Sequence, residues 1–372
     1  MLIPLREADG RCGAKAANLG RLLRAGLDVP AGFVIGDAIG DDGWGQEIES
    51  ALLDLGSRRF AVRSSTFGED GGQASFAGQP DTTLGATTTA QVVQAVRRTA
   101  RSGAGPEMIG YAARTGQAAG NVVPVIVQVM VEPEAAGVLF TRHPVSGADQ
   151  VVIEAAGGLG DKAVDGTVTP QAWTVDGSGI TGPGLAEAPV LSSARVLTLG
   201  KLGRWIEVIF GVPQDINWAV ADQKFWILQT RPITTRPDEA KPDEAKRVSS
   251  EPGEVLLRGT PASPGIALGP VRVITELDSF DQFCAGDVLV CRTTSPAWTP
   301  LLARATAVVT EIGGMLAHAA ILAREFGIPA VLAAPGAMTM LADGQQVVVD
   351  GSAGTVTAPT NDERNDEPPN SG

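Results

Sequence analysis

An α/β (α+β) fold divided into two unequal domains is what this sequence predicts, on three observations. Apolar runs of strand length, among them 122–131 and 151–156, alternate with stretches of helical spacing such as 193–210. The 372 residues are enough for two or three hydrophobic cores. Residues 236–247 form a direct repeat, Arg-Pro-Asp-Glu-Ala-Lys-Pro-Asp-Glu-Ala-Lys-Arg, whose prolines and charges predict a stiff, solvated connection. The domains are accordingly expected at 1–235 and 255–360, with a linker at 236–254. Residues 361–372 are polar and acidic and are expected to be disordered.

The first domain opens with Gly13-Ala14-Lys15-Ala16-Ala17-Asn18-Leu19-Gly20-Arg21-Leu22-Leu23, a short amphipathic helix after a glycine. Lys15 falls near the helix start, where its charge can meet a phosphate. A strand follows within Val29–Ile35. Phe60–Arg63 is a second strand, which delivers Arg63 at its end to a loop rich in glycine and small polar residues, 64–82. Backbone N–H groups in such a loop can wrap a polyphosphate, and a guanidinium matches phosphate oxygens. Residues 89–116 have the spacing of one or two helices, with Arg97, Arg98 and Arg101 on a solvated face. Val122–Val131 is a nearly continuous apolar strand that carries Gln128, and Gly137–Phe140 is another that runs into a turn. His143 has no carboxylate or cysteine at ligand spacing and reads as structural. Val151–Ala156 is a strand that ends in a glycine turn.

Asp215–Val220 and Lys224–Thr230 read as a hairpin. Side chains alternate along a strand, so Asp215 and Asn217 share one face, as do Gln229 and Arg231. Oxygen ligands on paired strands can hold Mg²⁺ against a triphosphate, and Arg231 can neutralise charge on a transferred group.

The second domain opens at Gly259-Thr260-Pro261-Ala262-Ser263-Pro264-Gly265 and alternates strands and helices until about Thr357. Within it Ala305–Val309 reads as a buried strand, Gly313 and Gly314 break the run, and Ala317–Phe326 has the composition of a helix. His318 therefore falls in a first helical turn. The helix dipole and unpaired N–H groups there disfavour an imidazolium, keep the ring neutral and nucleophilic, and favour an anion placed on it.

Composition excludes several classes. A net charge of −13 argues against nucleic acid or an anionic membrane as partner. Tyr111 is the only tyrosine and aromatics make up 5%, so no base-stacking platform is indicated. No apolar segment reaches about 18 residues and the N-terminus lacks a leader pattern, which predicts a cytoplasmic protein. Cys12, Cys284 and Cys291 have no CxxC spacing and are expected as free thiols.

Taken together, the motifs resemble one family. Gly313-Gly314 through His318-Ala319-Ala320-Ile321 to Arg324-Glu325 and Gly327-Ile328-Pro329-Ala330-Val331 resembles the phosphohistidine signature of phosphoenolpyruvate synthase, pyruvate phosphate dikinase and rifampicin phosphotransferase. Val62-Arg63-Ser64-Ser65 with Glu69-Asp70 and Ser75-Phe76-Ala77-Gly78-Gln79 is similar to that family's nucleotide loop, and Ile153-Glu154-Ala155 with Gly158-Leu159-Gly160-Asp161 to a further motif. Asp215-Ile216-Asn217-Trp218-Ala219 and Leu228-Gln229-Thr230-Arg231-Pro232 match its metal-binding strands.

The resemblance implies an ATP-grasp domain followed by a small swivelling phosphohistidine domain. It assigns Lys15, Arg63, Gly78, Thr82, Gln128 and Asp215 to ATP, with the strand end at Gln128 serving adenine. It assigns Asn217 and Gln229 to Mg²⁺, and His318, Arg231 and Gln229 to catalysis. ATP would phosphorylate His318 from its β-phosphate, and the group would pass to pyruvate or another small-molecule acceptor. Two departures stand out. Asn217 occupies the position of a magnesium-binding glutamate, and Ala317 that of a hydroxyl residue. Three readings stay open: a dikinase whose acceptor site lies on a separate subunit, a stand-alone small-molecule or antibiotic kinase, and a non-catalytic nucleotide sensor.

Overall fold

The computed structural model describes residues 2–36, 44–66, 82–102, 123–158, 168–182, 189–233, 253–315 and 317–360, and the elements below are those of the described residues. The stretch 236–252 of the expected linker, Gly78, Asp161 and the tail 361–372 lie outside them.

The first sheet and its helices comprise β1 (Leu2–Pro4), α1 (Ala14–Arg24), β2 (Gly32–Ile35), α2 (Gly45–Leu55), β3 (Phe60–Ser64), β4 (Thr83–Ala86), α3 (Thr89–Ser102) and β5 (Val125–Val129). The strands run antiparallel in the order β1-β2-β5-β3-β4. Alternation sorts the two faces. Phe33, Ile35, Val125 and Val127 pack under Ile48, Leu52, Val92 and Val96 of α2 and α3. Val34 and Ile126 point the other way, into a core shared with the second sheet. The sequence reading did not anticipate α2, and of the helical stretch expected at 89–116 only α3 falls among the described residues.

The second sheet comprises β6 (Ala135–Phe140), β7 (Val151–Gly157), β8 (Gln171–Asp176), β9 (Gly179–Thr181), then helix α4 (Ser193–Phe210), β10 (Gln214–Ala221) and β11 (Lys224–Pro232). It is antiparallel throughout, in the order β11-β10-β6-β7-β8-β9. One face, with Leu139, Ile153, Ile216 and Trp218, buries Val196, Leu199 and Ile206 of α4 and Leu19 and Leu22 of α1. Asp222 and Gln223 adopt φ of 51° and 61°, the left-handed pair of a two-residue hairpin turn.

Residues 253–360 build the third sheet from β12 (Val255–Arg258), β13 (Thr260–Ser263), β14 (Ile266–Val273), β15 (Val288–Cys291), β16 (Ala307–Thr310), β17 (Ala330–Leu332), β18 (Gln346–Asp350) and β19 (Thr355–Thr357). Helices α5 (Thr299–Leu302), α6 (His318–Phe326) and α7 (Ala337–Met340) fall between them. Strands β14 to β17 pair in parallel, as crossover connections through helices require. Leu289, Cys291 and Val308 face α5 and α6, while Val288, Val290 and Val309 face Ala337 and Leu341. Gly253 and Glu254, the end of the expected linker, already join this sheet, since the Ala358 N–H bonds the Glu254 carbonyl at 2.9 Å. No helix among the described residues is long and apolar enough to cross a membrane. Cys12, Cys284 and Cys291 are free thiols, with Cys284 exposed.

Candidate active site

The face of the second sheet opposite α4 is where the hairpin residues meet. Asp215 lies directly across from Arg231 and Asn217 from Gln229, so all four side chains project from one face. The rows continue through β6 and β7: Asn217 to Val138 to Glu154, and Asp215 to Phe140 to Val152. Arg231 Nε donates to Asp215 Oδ2 at 2.8 Å, and both side chains are largely buried, which makes this a tight charge-assisted pair. A register shift beyond Asn217 marks a bulge in β11 at Leu228. Its displaced carbonyl accepts from Arg63 Nη1 at 2.8 Å, while Arg63 Nη2 donates to Gln229 Oε1 at 2.8 Å. Arg63 and Gln229, 166 residues apart, are thus one unit.

Lys15 is drawn toward the same place by the seating of α1. Gly13 has φ of 80°, and a Cβ there would lie 1.8 Å from the Ser65 carbonyl oxygen, so only glycine permits the approach. The Ala16 N–H then donates to Ser65 Oγ at 3.0 Å, two residues beyond Arg63, and Asn18 Nδ2 donates to the Thr230 carbonyl at 2.9 Å. The helix start holding buried Lys15 is therefore clamped between β3 and β11. Thr82 is exposed just before β4. Gln128 sits in the central strand of the first sheet, and its side-chain amide donates to the Pro30 carbonyl at 2.8 Å. That bond ties the side chain down within the first sheet's region. His143, as expected, is structural: Nδ1 accepts from the Val145 and Ser146 N–H groups at 3.2 Å.

His318 is the first residue of α6, with Ala317 at the N-cap supplying no side-chain bond. The ring is 7% exposed, and burial holds its pKa down to about 4, so it is neutral at ordinary pH. Thr294 Oγ1 lies 3.1 Å from Nδ1 and Thr299 Oγ1 3.4 Å from Nε2. The hydroxyl missing at 317 is thus answered by two others from neighbouring elements. Sequence spacing did not single them out, because the strand–loop–helix path that brings them to the ring is a tertiary feature.

The loop into His318 rests on the hairpin's face. Met315 buries its side chain with Val138, Phe140 and Val152, and Ile233 packs against the group. The Met315 N–H donates to Glu154 Oε1 at 2.9 Å, and Arg324 Nη2 donates to the Met315 carbonyl at 2.8 Å. A Cβ on Gly314 would lie 2.6 Å from Pro170 and 2.7 Å from Glu154 Oε2, so a larger residue there would have to displace these side chains. Burial pulls the Arg324 guanidinium down to about 10, an effect that the nearby Asp215 carboxylate opposes. Glu154 and Met315 both lay within recognised motifs, yet neither carried an assigned role, since nothing local marks a contact across 161 residues.

Among the described residues no group of three or more His, Cys, Asp or Glu side chains could hold a metal ion unaided. The arrangement instead offers amide and carboxylate oxygens beside Arg63 and Arg231 on the sheet, and a neutral imidazole at the start of α6.

Comparison with known proteins agrees. Residues 44–183 and 180–251 match the pyruvate phosphate dikinase AMP/ATP-binding domain, and residues 283–354 match the mobile domain of PEP-utilising enzymes. The chain is 35% identical over 419 aligned positions to a probable phosphoenolpyruvate synthase of Archaeoglobus fulgidus, covering 92% of this chain and 56% of that protein. It is 33% identical to one from Methanothermobacter thermautotrophicus, covering 94% and 62%. It is 37% identical to the phosphoenolpyruvate synthase of Pyrococcus furiosus, covering 84% and 43%. The chain thus spans less than two thirds of the length of these relatives. With an AMP/ATP-binding region and a histidine-bearing mobile region in sequence, it belongs to the phosphoenolpyruvate synthase and pyruvate phosphate dikinase family of PEP-utilising proteins.

Proposed function

We propose that the chain is an ATP-dependent phosphotransferase of the dikinase type, which moves the β-phosphoryl group of ATP to a ring nitrogen of His318. AMP leaves, and the γ-phosphoryl group passes to water as phosphate. One observation carries the reading: the loop leading into His318 is seated on the sheet face that bears Asp215, Asn217, Gln229 and Arg231. Lys15, Arg63, Gly78, Thr82 and the strand end at Gln128 would hold the nucleotide, and Arg231 would offset charge on the group in transfer. Asp215, Asn217 and Gln229 present one carboxylate and two amide oxygens. That set suits a magnesium ion carried in by nucleotide phosphates, whose charge it would partly neutralise. The neutral His318 ring is ready to attack without first losing a proton.

Pyruvate or another small molecule is the acceptor we infer, pyruvate being in keeping with the relatives' name, with the cytoplasm as the place of reaction. The reading is tested with ATP labelled separately at its β and γ phosphates, by following acid-labile label on the protein. Label from the β position on the native chain, and none on His318→Ala, is the expected result. No label from either position while ATP still binds would overturn it.

A further inference from the structure

We infer that Met315 and Glu154 form a docking latch, which seats the histidine loop on the nucleotide face and makes both positioning residues for phosphorylation of His318. The catalytic half of this inference rests on the function proposed above, whereas the latch itself rests on the contact. Four features meet at one point. Met315 is 5% exposed and fills an apolar patch of Val138, Phe140 and Val152. Its N–H is bonded to the buried Glu154 carboxylate, and its carbonyl to Arg324, so both polar groups of the residue are tied in place. Gly314 lets the backbone come close to Glu154, whose side chain would have to shift to admit a Cβ there. Val138 and Phe140 are the register partners of Asn217 and Asp215, so the patch adjoins the residues that would face the phosphates.

The composition of the patch separates a latch from ordinary core packing. Val138, Phe140 and Val152 are buried with Met315, a residue from the third sheet's region, rather than with a helix of their own, and Asp215, Asn217 and Glu154 adjoin them in the same rows. A buried methionine and a backbone N–H bonded to a carboxylate both favour the seated loop, and neither is covalent, so the seat can open. Met315 precedes His318 by three residues, so its seat sets where the ring can reach.

The test uses the full chain with Met315→Asp, Glu154→Ala and Glu154→Gln, and reads two quantities. Hydrogen exchange of the peptide spanning 311–317 reports docking. The rate of β-label transfer at saturating ATP, set against the ATP concentration for half-maximal rate, reports positioning. Met315→Asp is expected to expose that peptide to exchange and to slow labelling about tenfold or more, with half-saturation moving less than about twofold. Glu154→Ala should act in the same direction, and Glu154→Gln, which keeps an acceptor oxygen, should retain most of the rate. Met315→Ala, which only trims the side chain, gives the same signs more weakly should the aspartate variant fold poorly. Unchanged exchange in the Met315 variants, or lost protection with an unchanged labelling rate, would overturn the inference. If the native chain takes no label yet Met315→Asp still loses protection, the phosphotransfer reading falls and the latch stands.

Discussion

On the hairpin, Arg231 bonds the Asp215 carboxylate at 2.8 Å, whereas His318 in the third sheet's region, among the described residues, has hydroxyl groups beside its ring. The two places are prepared for opposite halves of one task. Holding a polyphosphate demands fixed cations and oxygen donors, and here the Arg231 guanidinium is fixed by its bond to the Asp215 carboxylate. Accepting a phosphoryl group demands an unprotonated nitrogen, and burial without a carboxylate neighbour provides it. One region is defined by pairing and the other by its lack of charge, so mutations should hurt them by different amounts and with different pH signatures.

The largest effect should come from Asp215→Ala, which leaves Arg231 without its carboxylate partner across the ladder. Breaking such a pair is expected to cost about 3 kcal/mol of stability and to slow labelling at least about a hundredfold. Chemical denaturation and the label-transfer rate check this. A cost no greater than that of removing a hydroxyl at the histidine would dissolve the contrast between the two regions.

The next effect is a pH dependence from His318. Its pKa falls from an ordinary 6.5 to about 4 on folding, so as pH drops the unfolded chain takes up the proton first. The stability that this shift contributes is full above about 6.5 and is lost as pH falls toward about 4, on the order of 3 kcal/mol in all. Denaturation at pH 7 and pH 5 should show less of this loss in His318→Asn than in the native chain. The labelling rate, by the same logic, should show no decline centred near 6.5. A decline there would mean that the ring titrates normally and that the neutrality argued for it is wrong.

The smallest effect is expected at Thr294, whose hydroxyl lies against Nδ1. Thr294→Val should cost about 1 kcal/mol, seen as a several-fold slower labelling rate, and Thr294→Ser should restore most of it. Equal losses in both variants would assign Thr294 to packing rather than to the ring.

Much of this site was legible in the chain itself. Period-two alternation put Asp215 with Asn217 and Gln229 with Arg231 on shared faces, and the observed register pairs them directly. The glycine pair and the alanine-rich run placed His318 at a helix start, where α6 begins. Helix α4 spans Ser193–Phe210 as its spacing indicated. What escaped was of another kind. The Gln128 side-chain amide bonds the Pro30 carbonyl, 98 residues away in the chain. Thr294 and Thr299 come from separate elements, and Glu154 meets Met315 only because the third sheet's region folds back onto the second sheet.

By itself, then, the sequence determined many of the strands and helices, though not α2, which hairpin residues share a face, and where His318 sits on its helix. These follow from backbone sterics and from periods of 2 and about 3.6 residues that act over a few neighbours. The tertiary structure alone decided that Arg63 grips Gln229, that two threonines flank the imidazole, and that Met315 lands on Glu154. Those contacts join surfaces formed by residues far apart in the chain, and their energy depends on shape and burial that exist only once both surfaces have folded.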